Sequence, residues 1–207
     1  MIDANHFLAF LLPVIAISLV PGPDTVYVMN RSLSQGKLAG LTAALGSANG
    51  VLGHITLSVV GLSALLMASP CGFWMVKIVG TLYLIYLGIR MLRKSASITG
   101  EHELPQDTLR TVWFQGILTN ILNPKVAIFF LAFIPQFIDI HRGHIPMQFL
   151  SFGIIFDVIG TSWLCCVAIS SGALSKWFHT HPFAITCQQR LTGIIFIVFA
   201  AKLALPW

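Results

Sequence analysis

The chain has 207 residues, of which 56% are hydrophobic and only 9% are charged. A domain facing water usually carries roughly a quarter of its residues as Asp, Glu, Lys and Arg, so most of this surface is predicted to face lipid. The net charge of +5 rests on Lys and Arg scattered singly between apolar runs, with no basic patch suited to nucleic acid. Four cysteines in a long apolar chain, two of them adjacent (Cys165 and Cys166), exclude a secreted disulfide scaffold.

A membrane helix needs about 20 mostly apolar residues, and six stretches qualify. Span one, 6–30, follows Asp3 and no basic residue, which predicts a retained helix rather than a cleaved leader. It is interrupted by Pro21-Gly22-Pro23 and then Asp24. Span two, 39–67, holds Gly46-x3-Gly50, Asn49 and His54, and Gly36-x3-Gly40 leads into it. Turn chemistry at Ser69-Pro70-Cys71-Gly72 separates it from span three, 71–92. The segment 93–110 collects Arg93, Lys94, Glu101, Glu103, Asp107 and Arg110 and is the substantial polar loop. Span four, 112–138, is interrupted at Asn123-Pro124, with Asn120 before the break and Lys125 after it. A turn at His141-Arg142-Gly143-His144 leads to span five, 146–172, which carries Asp157. A last turn from Lys176 to Pro182 precedes span six, 186–206. Alternation of period two is missing, so a β-barrel is not supported.

The fold class expected is therefore all-α: a polytopic membrane protein of six transmembrane helices in one domain, 1–207. The loops after spans one, three and five hold Arg31, Lys37, Arg90, Arg93, Lys94, Arg110, Lys176 and Arg190, against Lys77, Arg142 and Lys202 on the other side. That bias places those loops in the cytoplasm and both termini outside. The two halves also resemble each other. Lys77, Gly80, Tyr83 and Tyr86 match Arg190, Gly193, Phe196 and Phe199 at one offset (190 − 77 = 113), and Gly50 and His54 precede Gly153 and Asp157 by another (157 − 54 = 103). Repeat one covers about 1–92 and repeat two about 112–207, joined by the loop 93–111. Three spans per repeat make the halves inverted, a recurring plan of secondary transporters with broken helices at corresponding places.

Broken backbone is tolerated at membrane depth where it lines a cavity or is buried in protein. The candidate substrate site is accordingly Pro21, Gly22, Pro23 and Asp24 together with Asn120, Asn123, Pro124 and Lys125. Gly22 is read as permitting an irregular conformation. Asp24, Asp157 and His54 are the candidates for carrying a proton, since an ionisable group inside a membrane usually faces a partner or an aqueous path. Asn49 is a weaker candidate. Asp24, Lys125 and Asp157 have a second reading as an internal ion cluster. His141/His144 and His179/His181 fall on opposite sides of the membrane, so no metal site is predicted, and CxxC spacing is lacking.

These motifs carry a family resemblance. Ser18-Leu-Val-Pro-Gly-Pro-Asp24, Gly36 through Gly50, Gly80-x2-Tyr83-Leu-x2-Tyr86-Leu-Gly88-Ile-Arg90, Phe114-x-Gly116 through Asn123-Pro124-Lys125, and Phe133-Ile-Pro135-Gln136-Phe137 run nearly end to end. The chain resembles the lysine exporter (LysE) superfamily, in particular its homoserine/threonine efflux (RhtB-like) branch. The resemblance implies a bacterial inner-membrane exporter of amino acids or their derivatives, driven by the proton gradient, without a cofactor and not an enzyme. Its implied partners are a small amino acid, protons and the lipid bilayer, not nucleic acid. A neutral substrate such as homoserine, threonine or leucine is preferred. The alternatives are basic amino acids, a metal ion or a channel-like protein. The glycine-rich faces make a homodimer plausible.

Overall fold

The computed structural model describes residues 4–64, 106–140 and 142–180, with single positions between 75 and 93 and between 183 and 201. The first span is two helices, α1 (Ala4–Leu19) and α2 (Pro23–Gln35), bent by 49° at the break between them. Helix α3 (Lys37–Leu57) continues through a π-helical turn, Ser58–Leu62. The fourth span is again double. Helix α4 (Leu109–Ile121) meets α5 (Pro124–Ile128), which continues as a π turn (Phe129–Phe133) and a 3-10 turn (Ile134–Phe137), with a bend of 46°. Helix α6 (Ile145–Thr180) completes the continuous elements. Spans three and six lie largely outside the described residues, but their described positions between 75 and 93 and between 183 and 201 are helical. The chain is an all-α polytopic membrane protein whose first and fourth helices are broken at proline.

Local chemistry explains the ends. Pro13 is accommodated inside α1, whereas Pro21 and Pro23 together stop it, because each removes a backbone donor and crowds the preceding turn. Span one runs on to Gln35, five residues beyond the expected limit, because no breaker follows until Gly36. Gly36 has φ +87°, and its N–H bonds the Ser32 carbonyl at 3.0 Å. It turns the chain and has nothing within 4 Å of a Cβ position, so the Gly36-x3-Gly40 spacing does not make Gly36 a point of close helix approach. Thr108 caps α4, its hydroxyl accepting from the Thr111 N–H at 3.2 Å. Helix α6 extends to Thr180, so the turn expected from Lys176 begins later.

The core of the described residues divides into two layers, and spans one, two, four and five pass through both. One layer is aromatic: Phe10 of α1, Phe129, Phe130 and Phe133 after α5, and Phe149, Phe152 and Phe156 of α6, with Val51 and Ile55 of α3. Phe10 sits 4.6 Å from Phe152, and Phe129 sits 4.6 Å from Phe133 and 4.7 Å from Phe156, ring centre to ring centre. The other layer is built of smaller side chains: Val28 and Met29 of α2, Ala43 and Ala44 of α3, Val112 of α4, and Leu164, Val167 and Ala168 of α6. Each broken span thus has one half in each layer, and the breaks lie in the seam.

Small residues bring the second layer together. A Cβ on Gly46 would collide with the Trp113 carbonyl, and one on Gly116 would stand 2.6 Å from the Ala43 carbonyl, so α3 and α4 cross backbone to backbone. Gly40 seats Ser32, and Gly50 seats Asn120. These glycines are occupied within the chain, so they do not supply the dimer face suggested by the sequence. Gly116→Ala is predicted to destabilise by roughly 1–3 kcal/mol through overpacking against rigid backbone. Gly61→Ala, with nothing within 4 Å, is predicted to be neutral. Thermal melting of both variants in detergent checks the contrast.

Candidate functional site

At the first break, Ile17 would normally accept from residue 21, which is a proline without an N–H. The Lys125 ammonium takes over, donating to the Ile17 and Val20 carbonyls, each at 3.1 Å. A cation here also faces the negative end of α1. The Ile17 and Val20 carbonyls at this break are therefore already engaged by Lys125. Gly22, with φ −125° and ψ −176°, is in extended backbone that any residue adopts. Its role is space: a Cβ there would lie 3.1 Å from Lys125 Nζ and 3.2 Å from Cε. The reading of Gly22 as a conformational requirement is corrected to one of close approach.

At the second break, Asn123 is the hinge. Its side-chain oxygen accepts from the Lys125 N–H at 3.0 Å, capping α5. Its side-chain nitrogen donates to Asp24 Oδ2 at 2.7 Å, and Asn120 donates to the same oxygen at 3.2 Å. Asp24, in the first turn of α2, is only 5% exposed. The two breaks are thus cross-bonded: the base after the second holds carbonyls of the first, and the acid after the first is held by asparagines of the second. His54 supports this from behind, with Nε2 3.3 Å from the Asn120 carbonyl and its ring stacked on Phe130.

A partly open cavity of about 40 Å³ lies against these groups. Asp24, Asn120 and Lys125 line it, with Ser18, Ser47 and Trp163 and the apolar Ile17, Val51, Val126, Phe156 and Leu164. Its walls come from both core layers, so it sits in the seam. Among the described residues, Ser18 Oγ, Asp24 Oδ1, Ser47 Oγ, Asn120 Oδ1 and Trp163 Nε1 are buried without a protein hydrogen-bond partner. An unsatisfied buried polar atom costs about 1–3 kcal/mol, and five of them border one cavity.

The remaining expected residues lie elsewhere. Asp157 is half-buried on α6, accepts from Thr161 Oγ1 at 3.1 Å, and does not line the cavity. Asp157 thus stands outside the ion-cluster reading and bonds its own helix, while Lys125 bonds carbonyls and Asp24 bonds amides near each other at the breaks. Pro21, Pro23 and Pro124 shape the breaks from outside the lining. Asn49 is exposed and bonds Leu45 of its own helix at 2.9 Å. Sequence reading missed Ser18, Ser47 and Trp163. The available signals were Ser18 one turn before the prolines, Ser47 beside Gly46, and Trp163 deep within a helix rather than at a membrane interface, where tryptophan usually stands.

Arg31, expected in a loop, is instead 3% exposed within α2. It pairs with Asp107 and also donates to Gln35 and Gln115, each at 2.7 Å, while Tyr27 donates to the Val112 carbonyl at 2.8 Å. Residues assigned to the same membrane side do meet here. Lys125→Met would leave the Ile17 and Val20 carbonyls unpaired, and its detergent melting point is predicted to fall well below that of Gly22→Ala, which requires Lys125 to shift by only a few tenths of an ångström. Equal melting points would refute the capping role.

The family model for LysE type translocators matches residues 15–206. An uncharacterised membrane protein of Vibrio cholerae is 34% identical over 94% of this chain and 94% of its own length. A leucine efflux protein of Salmonella typhimurium is 27% identical over 96% of this chain and 94% of its own. The membrane protein YrhP of Bacillus subtilis is 30% identical over 97% and 99%. No solved structure matches. With helices broken at both Pro-Gly-Pro and Asn-Pro-Lys and a match covering almost its whole length, the chain belongs to the LysE type translocator family.

Proposed function

We propose that this protein is a secondary-active exporter of neutral amino acids, leucine, threonine or homoserine in type, driven by the proton gradient across the bacterial inner membrane, with both termini outside. The observation that carries this reading is the seam cavity, which joins one acid, one base and five unpaired polar atoms to an aliphatic and aromatic wall. Asp24 and Lys125 balance each other, so the cavity suits a zwitterion. A cationic side chain would need a further acid, and Asp157 lies outside the lining. The leucine efflux relative supports the aliphatic preference.

In this reading the substrate ammonium meets Asp24 Oδ1, the oxygen left over by Asn120 and Asn123. Protonation of Asp24 from outside weakens that hold and releases the substrate outward. Asp24 takes the coupling role in preference to Asp157, because it alone of the two lines the cavity, while His54 steadies Asn120. Alternating access then arises from rocking of the two inverted repeats about the seam. One charge moving through 100 mV supplies about 2.3 kcal/mol, more than tenfold in concentration.

The test is counterflow of radiolabelled leucine, threonine and lysine in proteoliposomes. The wild type is predicted to exchange neutral amino acids, faster when the external side is acidified. Asp24→Asn is predicted to lose exchange at least tenfold together with the pH stimulation, while Asp157→Asn retains most of both. Wild-type exchange by Asp24→Asn, or lysine as the preferred substrate, would overturn the reading.

A further inference from the structure

The five unpaired atoms differ in what they can bond. Asp24 Oδ1 and Asn120 Oδ1 accept only, the Ser18 and Ser47 hydroxyls do either, and Trp163 Nε1 donates only. Asp24 and Asn120 stand at the two breaks, on α2 and α4; Trp163 stands on the opposing helix α6. A zwitterionic amino acid has the same division. Its ammonium only donates and its carboxylate only accepts. Acceptors at the breaks therefore fix the ammonium end, and the indole N–H suits the carboxylate end.

Lys125 stands at the same end as these acceptors, and its charge is directed largely to the carbonyl end of α1. Two of its three protons are committed to Ile17 and Val20, which leaves one, and Lys125 lines the cavity. Between the two polar ends the lining is Ile17, Val51, Val126, Phe156 and Leu164, matched to an aliphatic side chain. The indole itself is half-buried and packs against the second core layer.

Building on the proposed function, we infer that Trp163 is the carboxylate-recognising residue of the substrate site, and that its N–H makes the exporter select amino acids over the corresponding amines. The substrate lies across the seam, ammonium at the helix breaks and carboxylate toward α6. Its orientation is thereby set from both repeats, by Asp24 of the first and by Asn120 and Trp163 of the second.

The experiment measures competition against leucine counterflow by unlabelled leucine and by isoamylamine, which is leucine without its carboxylate. Trp163→Phe keeps an aromatic ring at this position and removes the N–H. The predicted result is an apparent leucine affinity about tenfold weaker, equivalent to about 1.4 kcal/mol, with isoamylamine competition unchanged. Trp163→His, which restores an N–H, is predicted to regain part of the leucine preference and provides the second variant should Trp163→Phe not fold. Parallel weakening of leucine and amine in both variants would mark Trp163 as merely structural, and unchanged leucine affinity would exclude it from the site; either overturns the inference. Failure of the wild type to exchange leucine at all would instead refute the exporter reading, before any variant is compared.

Discussion

Everything in this molecule hangs on the cross-bonding of two helix breaks. A proline-interrupted helix in hydrocarbon leaves backbone groups that water cannot reach, at several kcal/mol each. Here residues of the second break repair the first, while Asn123 caps the second itself. Lys125 replaces the donors missing after Ile17 and Val20, and Asn120 and Asn123 hold the carboxylate that begins the restarted helix. The first break depends on the second, and the proposed site lies where they meet. A lysine used in this way needs a path, and that path is the missing side chain of Gly22.

The layered core follows from the same geometry. Since each broken span changes direction at mid-depth, its two halves pack into different sets of neighbours. The aromatic layer is filled by large rings in contact, and the other by glycine and alanine with backbone crossing backbone. Polar closure of the second layer comes from Arg31, Asp107 and Gln115. A seam between two differently packed layers is where a ligand is least obstructed by the core. The unpaired atoms of Ser18, Ser47, Asn120 and Trp163 gather there. Rocking about such a seam would expose the site to each side in turn without dismantling either layer.

Much of this was legible in the sequence for physical reasons. Charge scarcity and 20-residue apolar runs gave the membrane fold, and Pro21-Gly22-Pro23 and Asn123-Pro124-Lys125 marked the breaks, because proline has few uses inside a helix. Asp24, Asn120, Asn123 and Lys125 were all found, since polar groups beside a membrane break stand out. What was illegible depended on rotation and distance. Helical position alone could not show that Asp157 bonds Thr161 on its own helix while Trp163, less conspicuous as a neutral residue, lines the cavity. Nor could it show that Lys125 reaches back over Gly22, or that Arg31 is a buried partner of Asp107 and not a loop charge. Gly36 and Gly40 share a motif but not a role, because one turns the chain at positive φ and the other seats Ser32.

The central claim is that an amino acid occupies the seam between the broken helices. Ala48 lines that cavity on α3, and a cysteine there adds little volume. In a background with the four native cysteines replaced by alanine, the rate at which Ala48→Cys reacts with a small thiol reagent reads the occupancy of the seam directly. The account predicts that saturating leucine slows this reaction at least fivefold while a neutral sugar leaves it unchanged. An unchanged rate, at leucine concentrations that support counterflow by the same protein, would contradict it.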